Sequence, residues 1–219
     1  MFLSSTCLSE LPVVLNCSQI VAVAQTLYFQ AGIAGVSMAD VAARLDQPES
    51  VVLAGFPAGK AALVQAVLES YADQMHAELS QLRQQCTTAV EELLALRVLV
   101  SQKMGQGSTA FFREAEAHYS VAWRQWQAQR SGFMLDYVRT NLHQGIAQEL
   151  YHEGLDVGFL ARLWQQQMRN LRTADAEAEA EGLSPARMHH TLVAHFLAGI
   201  VTPAGAYVAR RLQEAEPYY

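Results

Sequence analysis

The chain has 219 residues, of which 51% are hydrophobic and only 16% charged, with a formal net charge of −6. Such a composition fills a sizeable core, argues against an extended nonspecific nucleic-acid binder, and points to a surface partly covered by a partner. Proline is scarce and no Val/Ile/Thr-rich run alternates with period two, which favours an all-α chain.

A first helix is expected from Asn16 to Gln30, because Ile20, Val21, Ala24, Leu27 and Tyr28 form one apolar stripe. Ala31-Gly32 ends it. Ser37 and Asp40 have the spacing of a capping box and open a second helix that buries Val41, Ala42 and Leu45. Pro48 is suited to the first position of a short third helix reaching about Ala54. After the turn Gly55-Phe56-Pro57-Ala58-Gly59, a long fourth helix runs from Lys60 to about Gln85, with Leu63, Val64, Val67, Leu68, Tyr71, Met75, Leu79 and Leu82 inward. Further helices are expected at Val90–Lys103, Ala110–Ala117, Ser120–Leu150, Val157–Leu171, Pro185–Ile200 and Ala204–Leu212. Gly105–Ser108, Gly154 and Thr202-Pro203 supply the breaks. The Ala/Glu-rich run Thr173–Glu181 has no apolar stripe and reads as a solvated loop or a helix extension. Residues 1–60 thus read as a three-helix head and residues 61–219 as a helical body, joined without a flexible linker.

Cys7, Cys17 and Cys86 are an odd number without CxxC spacing and read as reduced thiols. The start lacks the basic region of a signal peptide, and no apolar run reaches the ~18 residues of a membrane span. A cytoplasmic protein with no membrane partner is expected.

Several segments resemble the TetR/AcrR family of bacterial transcriptional regulators. GVSMADVAARL is similar to the first helix of the family's helix-turn-helix, and FPAGKAAL (Phe56–Leu63) to its variant FPGGKEAL. Asn141–Tyr151, NLHQGIAQELY, resembles NIEQGIEEGLY; Leu155–Leu163 resembles INVDIIAKLY; His195–Gly205 resembles HYLRGIATPKG. The resemblance spans nearly the whole chain. It implies a homodimer with a DNA-binding head and a body that binds a small apolar or aromatic effector, the last two body helices pairing with their twofold mates.

Carried onto this chain, the DNA-holding positions fall at Ser37, Arg44, Gln47, Ser50, Val51, Leu53 and Lys60. Gln47 and Ser50 have groups that bond base edges, and Lys60 a charge for phosphate. Several positions depart from the pattern: Asp46 stands for the usual Gly, Val51 for Thr and Leu53 for Tyr, and residues 1–43 contain no Lys or Arg. Across residues 1–75, Arg44 and Lys60 face Glu10, Asp40, Asp46, Glu49, Glu69 and Asp73. Phosphate neutralisation supplies most of an ordinary DNA binder's affinity, so a dimer with about four such contacts binds weakly and with strong salt sensitivity.

Met104, Phe111, Phe112, Trp123, Trp126, Phe133 and Tyr137 are the candidate effector-pocket residues, bulky and apolar in mid-body. Phe159, Leu163, Gln166, Gln167, Val193, Leu197 and Ile200 are the candidate dimer interface, because two helices with such wide apolar faces exceed what one body can bury. His189 and His190 point ~100° apart on a helix and cannot chelate one ion together. Neither a metal nor a cofactor is expected. No GxSxG, HExxH, Walker or GxGxxG motif occurs, so an enzyme is not expected either. Two functions remain. The first is an effector-responsive homodimeric regulator of operator DNA. The second is a protein of the same fold that has lost DNA binding and serves as a ligand- or lipid-binding or protein-interaction module.

Overall fold

A computed structural model describes residues 16–105, 109–173 and 184–215, which form ten α-helices. These are α1 (Cys17–Ala31), α2 (Met38–Arg44), α3 (Glu49–Gly55), α4 (Lys60–Gln85), α5 (Ala89–Gly105), α6 (Thr109–His118), α7 (Ser120–Ala147), α8 (Val157–Thr173), α9 (Pro185–Ile200) and α10 (Pro203–Ala215). Among the described residues the sole extended pairing is one antiparallel bridge, Tyr151 to Val201. No single described helix is long and apolar enough to cross a membrane.

Local chemistry sets the boundaries. Asn16 accepts from the Ser18 N–H while Gln19 accepts from the Asn16 N–H, capping α1. Ser37 accepts from the Asp40 N–H at 3.1 Å, and the Asp40 carboxylate accepts from the Ser37 N–H at 2.7 Å, which is the box expected for α2. Pro48 precedes α3 as its extended N-cap (ψ 146°) and is not its first helical residue. Ser184 caps α9 through the Arg187 N–H, with Pro185 next.

Helix α7 stops at Ala147, three residues short of the expected Leu150. The reason is a left-handed residue, Glu149 (φ 61°), after which the N–H groups of Leu150 and Tyr151 both donate to the Gly145 carbonyl. The Tyr151 ring then lies where a Cβ on residue 145 would stand. Only glycine permits that approach.

Two hydrophobic cores result. One holds α1–α3 and the first half of α4, and it also takes in Phe111, Ala115, Ala122, Trp123 and Trp126 from α6 and α7. The head therefore does not close on itself; the body supplies part of its core. The second core surrounds α5, the helix packed most extensively on α9, with Leu93, Leu94, Leu142, Trp164, Val193 and Ile200 inside it. The side chain of Met104, residues 106–108 of the Gly-rich break, residues 1–15, and residues 174–181 of the Ala/Glu-rich run with 182–183 after it lie outside the described residues.

Candidate nucleic-acid surface, effector body and docking face

In the head, α3 turns only Val52 fully into the core. Glu49 and Ser50 are exposed, Leu53 is 42% exposed, and Gln47 and Val51 are half-buried. This face carries one hydroxyl and one carboxylate on its exposed front, with hydrocarbon at Val51 and Leu53. Arg44 is exposed in the last turn of α2, and Lys60 is half-buried at the start of α4. The Ser37 hydroxyl is committed to Asp40, to which it donates at 2.6 Å. That bond, the Ser37 N–H and the nearby Lys60 charge hold the Asp40 carboxyl below the usual range. Lys60 therefore already has an acid in its field. Asp46, exposed at the entry to α3, occupies a left-handed conformation (φ 54°).

The turn between α1 and α2 is held by the body. The Glu114 carboxylate on α6 accepts from the Ala34 N–H at 2.7 Å. Gly32 (φ 74°) faces the same carboxylate, with a Cβ there meeting Glu114 Oε1 at 2.6 Å. This contact spans 80 residues of sequence and has no local signature, so spacing does not reveal it.

The aromatic candidates divide. Phe111, Phe112, Trp123 and Trp126 join Phe29 and Tyr71 in one packed cluster, with Phe112–Trp126 stacked at 5.3 Å and Trp123–Trp126 at 4.8 Å. Phe133 and Tyr137 belong to the other core, Phe133 lying 3.8 Å from the His76 ring. Helix α7 explains the separation: ten residues of helix extend about 15 Å. The first group joins head to body, and the second lines the body interior.

Within the body, Glu92 is buried and fully engaged. Arg83 Nε donates to it at 2.8 Å and Asn141 Nδ2 at 3.1 Å. Arg83 also donates to the Tyr137 carbonyl and lies over the Tyr137 ring at 4.1 Å. Tyr151 Oη donates to the Ala89 carbonyl at 3.0 Å. This network pins α4, α5 and α7 together at the body end of α4. A second buried polar group, Arg97 with His189, is not engaged in this way. Its sequence signal is a lone arginine inside the apolar run LLALRVLV.

The outer faces of α8 and α9 form an open groove of about 720 Å³, lined by Leu160, Leu163, Gln167, Met188, Leu192 and His195 among others. Phe159, also on α8, is 61% exposed. Of the expected interface residues, Leu163 and Gln167 line this groove and Gln166 is exposed, bonded within α8 to Asn170. Gln167 Oε1 is buried there without a donor. Val193 and Leu197 are buried in the subunit's own core, and Ile200, also buried, lines the groove as well. Helix α9 is apolar on two faces, and α5 covers the one that carries Val193 and Leu197. Met188, Leu192 and Gly199 lie on the face that the groove exposes.

No family model matches the chain, and no curated protein matches it by sequence. Solved structures do match. A transcriptional regulator from Cytophaga hutchinsonii ATCC 33406 is 15% identical with a TM-score of 0.74, covering 84% of this chain and 98% of that one. SmeT of Stenotrophomonas maltophilia in complex with triclosan is 17% identical with a TM-score of 0.68, covering 86% and 93%. A TetR-family regulator from Agrobacterium tumefaciens is 17% identical with a TM-score of 0.65, covering 85% and 97%. The chain has the all-helical fold of TetR-family transcriptional regulators over nearly the full length of these neighbours.

Proposed function

We propose that the protein is a homodimeric, effector-responsive transcriptional regulator, in which residues 1–60 read DNA through α3 and residues 61–219 hold the effector and the dimer contact. The observation that carries this reading is the head. Its α3 gives only Val52 fully to the core and turns Ser50 and Leu53 outward, with Arg44 in the last turn of α2 and Lys60 at the start of α4. The open α8–α9 groove supports the dimer, since a face of this kind with a donorless Gln167 oxygen suits a second copy. A small apolar or aromatic effector in the body is supported by a neighbour of the same fold solved with triclosan. Effector binding would shift the relative placement of the two heads and with it operator affinity. The fold of its neighbours and the missing catalytic motifs support a non-enzymatic role, and nothing in the reading calls for a membrane.

Fluorescence anisotropy on the DNA flanking the protein's own gene, at ~50 mM salt, is the test. Saturable binding that weakens steeply with salt is the expected result. A flat titration at that salt sinks the regulator reading. The second reading, a ligand-binding or interaction module that no longer binds DNA, is favoured by one observation: the exposed front of α3 carries Glu49 and Leu53 where phosphate and base contacts are needed.

A further inference from the structure

We propose that the body interior contains a binding site for the carboxylate of a small organic acid, built from Arg97 and Ser101 on α5 and His189 and His190 on α9. Arg97 is 1% exposed and His189 is fully buried. Among the described residues neither has an acidic partner. Arg97 Nη1 lies 3.4 Å from His190 Nε2, while its Nε and Nη2 have no hydrogen-bond partner. His189 Nδ1 lies 3.4 Å from Ser101 Oγ, and its Nε2 is also orphaned. Burial, then Arg97, then His190, push the His189 imidazole down to about 4, so it is neutral at ordinary pH.

The hydrogen-bonding roles follow. In the tautomer whose Nδ1 accepts from the Ser101 hydroxyl, the neutral His189 imidazole carries its proton on Nε2 and presents a donor there. Arg97 can only donate. Three orphaned buried nitrogens on two facing helices, with a net positive charge and no anion beside them among the described residues, constitute an unfinished site. A buried guanidinium without a counter-charge is costly, and its planar fork matches the two oxygens of a carboxylate. Glu92 is not that counter-charge, because it is engaged with Arg83 and Asn141. The side chains flanking the cluster are hydrocarbon: Leu93 and Leu94 precede Arg97 by one turn on α5, and Val193 follows His189 by one turn on α9, all buried. His190 is exposed, so the cluster reaches solvent on its side. The ligand class is thus an apolar organic acid. This differs from the purely apolar effector expected from the aromatic residues.

The inference rests on the reading of the body as an effector domain, and its test is made without DNA. Full-length protein is titrated calorimetrically, and melted, with benzoate, hexanoate and decanoate. Benzamide, hexanamide, decanol and inorganic phosphate serve as controls. The expected result is binding and a raised melting temperature with at least one acid and with none of the controls. Arg97→Met weakens that acid by at least about tenfold. It also leaves the melting temperature of the unliganded protein unchanged or higher, because an uncompensated buried charge has been replaced by hydrocarbon. A merely structural arginine predicts the reverse, a lower melting temperature. The proposal is overturned if no acid binds, if the neutral analogues or phosphate protect as well as the acids, or if Arg97→Met binds the acids as the parent does. A negative DNA titration leaves these outcomes untouched, and failed acid binding leaves the DNA result untouched.

Discussion

His189 shows how much one residue's setting matters. Its folded pKa of about 4 lies below the ordinary 6.5, the causes being burial first, then the Arg97 and His190 charges. The unfolded chain therefore binds this proton more tightly than the folded one. Its contribution to stability is complete above pH 6.5 and is lost as pH falls toward 4, amounting to about 3 kcal/mol. Denaturant midpoints measured from pH 7 to pH 4.5 should show this loss, and His189→Gln should flatten it. Equal slopes in the two proteins would refute the assignment. Asp46 is another residue whose conformation outweighs its type. A non-glycine residue at φ 54° costs on the order of 1 kcal/mol relative to glycine. Asp46→Gly should raise the thermal midpoint by a few degrees and, by removing an acid beside α3, strengthen DNA binding at low salt. An unchanged midpoint would show that the left-handed turn carries no such cost.

Between elements, the decisive contact is the one between α6 and the α1–α2 turn. Glu114 reaches the Ala34 N–H and crowds Gly32, so the head's turn is set by a carboxylate from the body. Glu114→Ala should cost about 1–2 kcal/mol. It should also speed amide exchange at residues 33–36 while leaving α8–α9 protection unchanged. Uniform exchange rates across the molecule would show that the carboxylate does not tie the two parts. Helices themselves were largely legible from periodicity and capping: α4 and α9 have the bounds that Lys60, Gln85, Pro185 and Ile200 mark in the sequence. The end of α7 was not legible. It depends on Tyr151 folding back onto Gly145, a packing event that local propensity does not encode.

On the scale of the whole molecule, the α8–α9 groove is the largest statement the fold makes about partners. Leu163→Glu should weaken a dimer by at least about thirtyfold in sedimentation equilibrium, with helical content unchanged. A parent protein that is monomeric at micromolar concentration would overturn the dimer. The apolar periodicity, caps and turn residues of the sequence were sufficient for an all-α chain with a helix-turn-helix head, because those signals act within a few residues. The acidic balance of the head was equally plain, since charge is counted and needs no fold. What required the folded chain was facing. Val193 and Leu197 turn inward onto α5 while Met188 and Leu192 turn outward, a choice between two apolar faces of one helix. The aromatic residues of α6 and α7 divide between two cores because α7 is long enough to reach both. Arg97 meets His190 across 93 residues of sequence, without an acidic partner among the described residues. Such pairings depend on how helices cross, and the energy that selects a crossing is summed over the whole core.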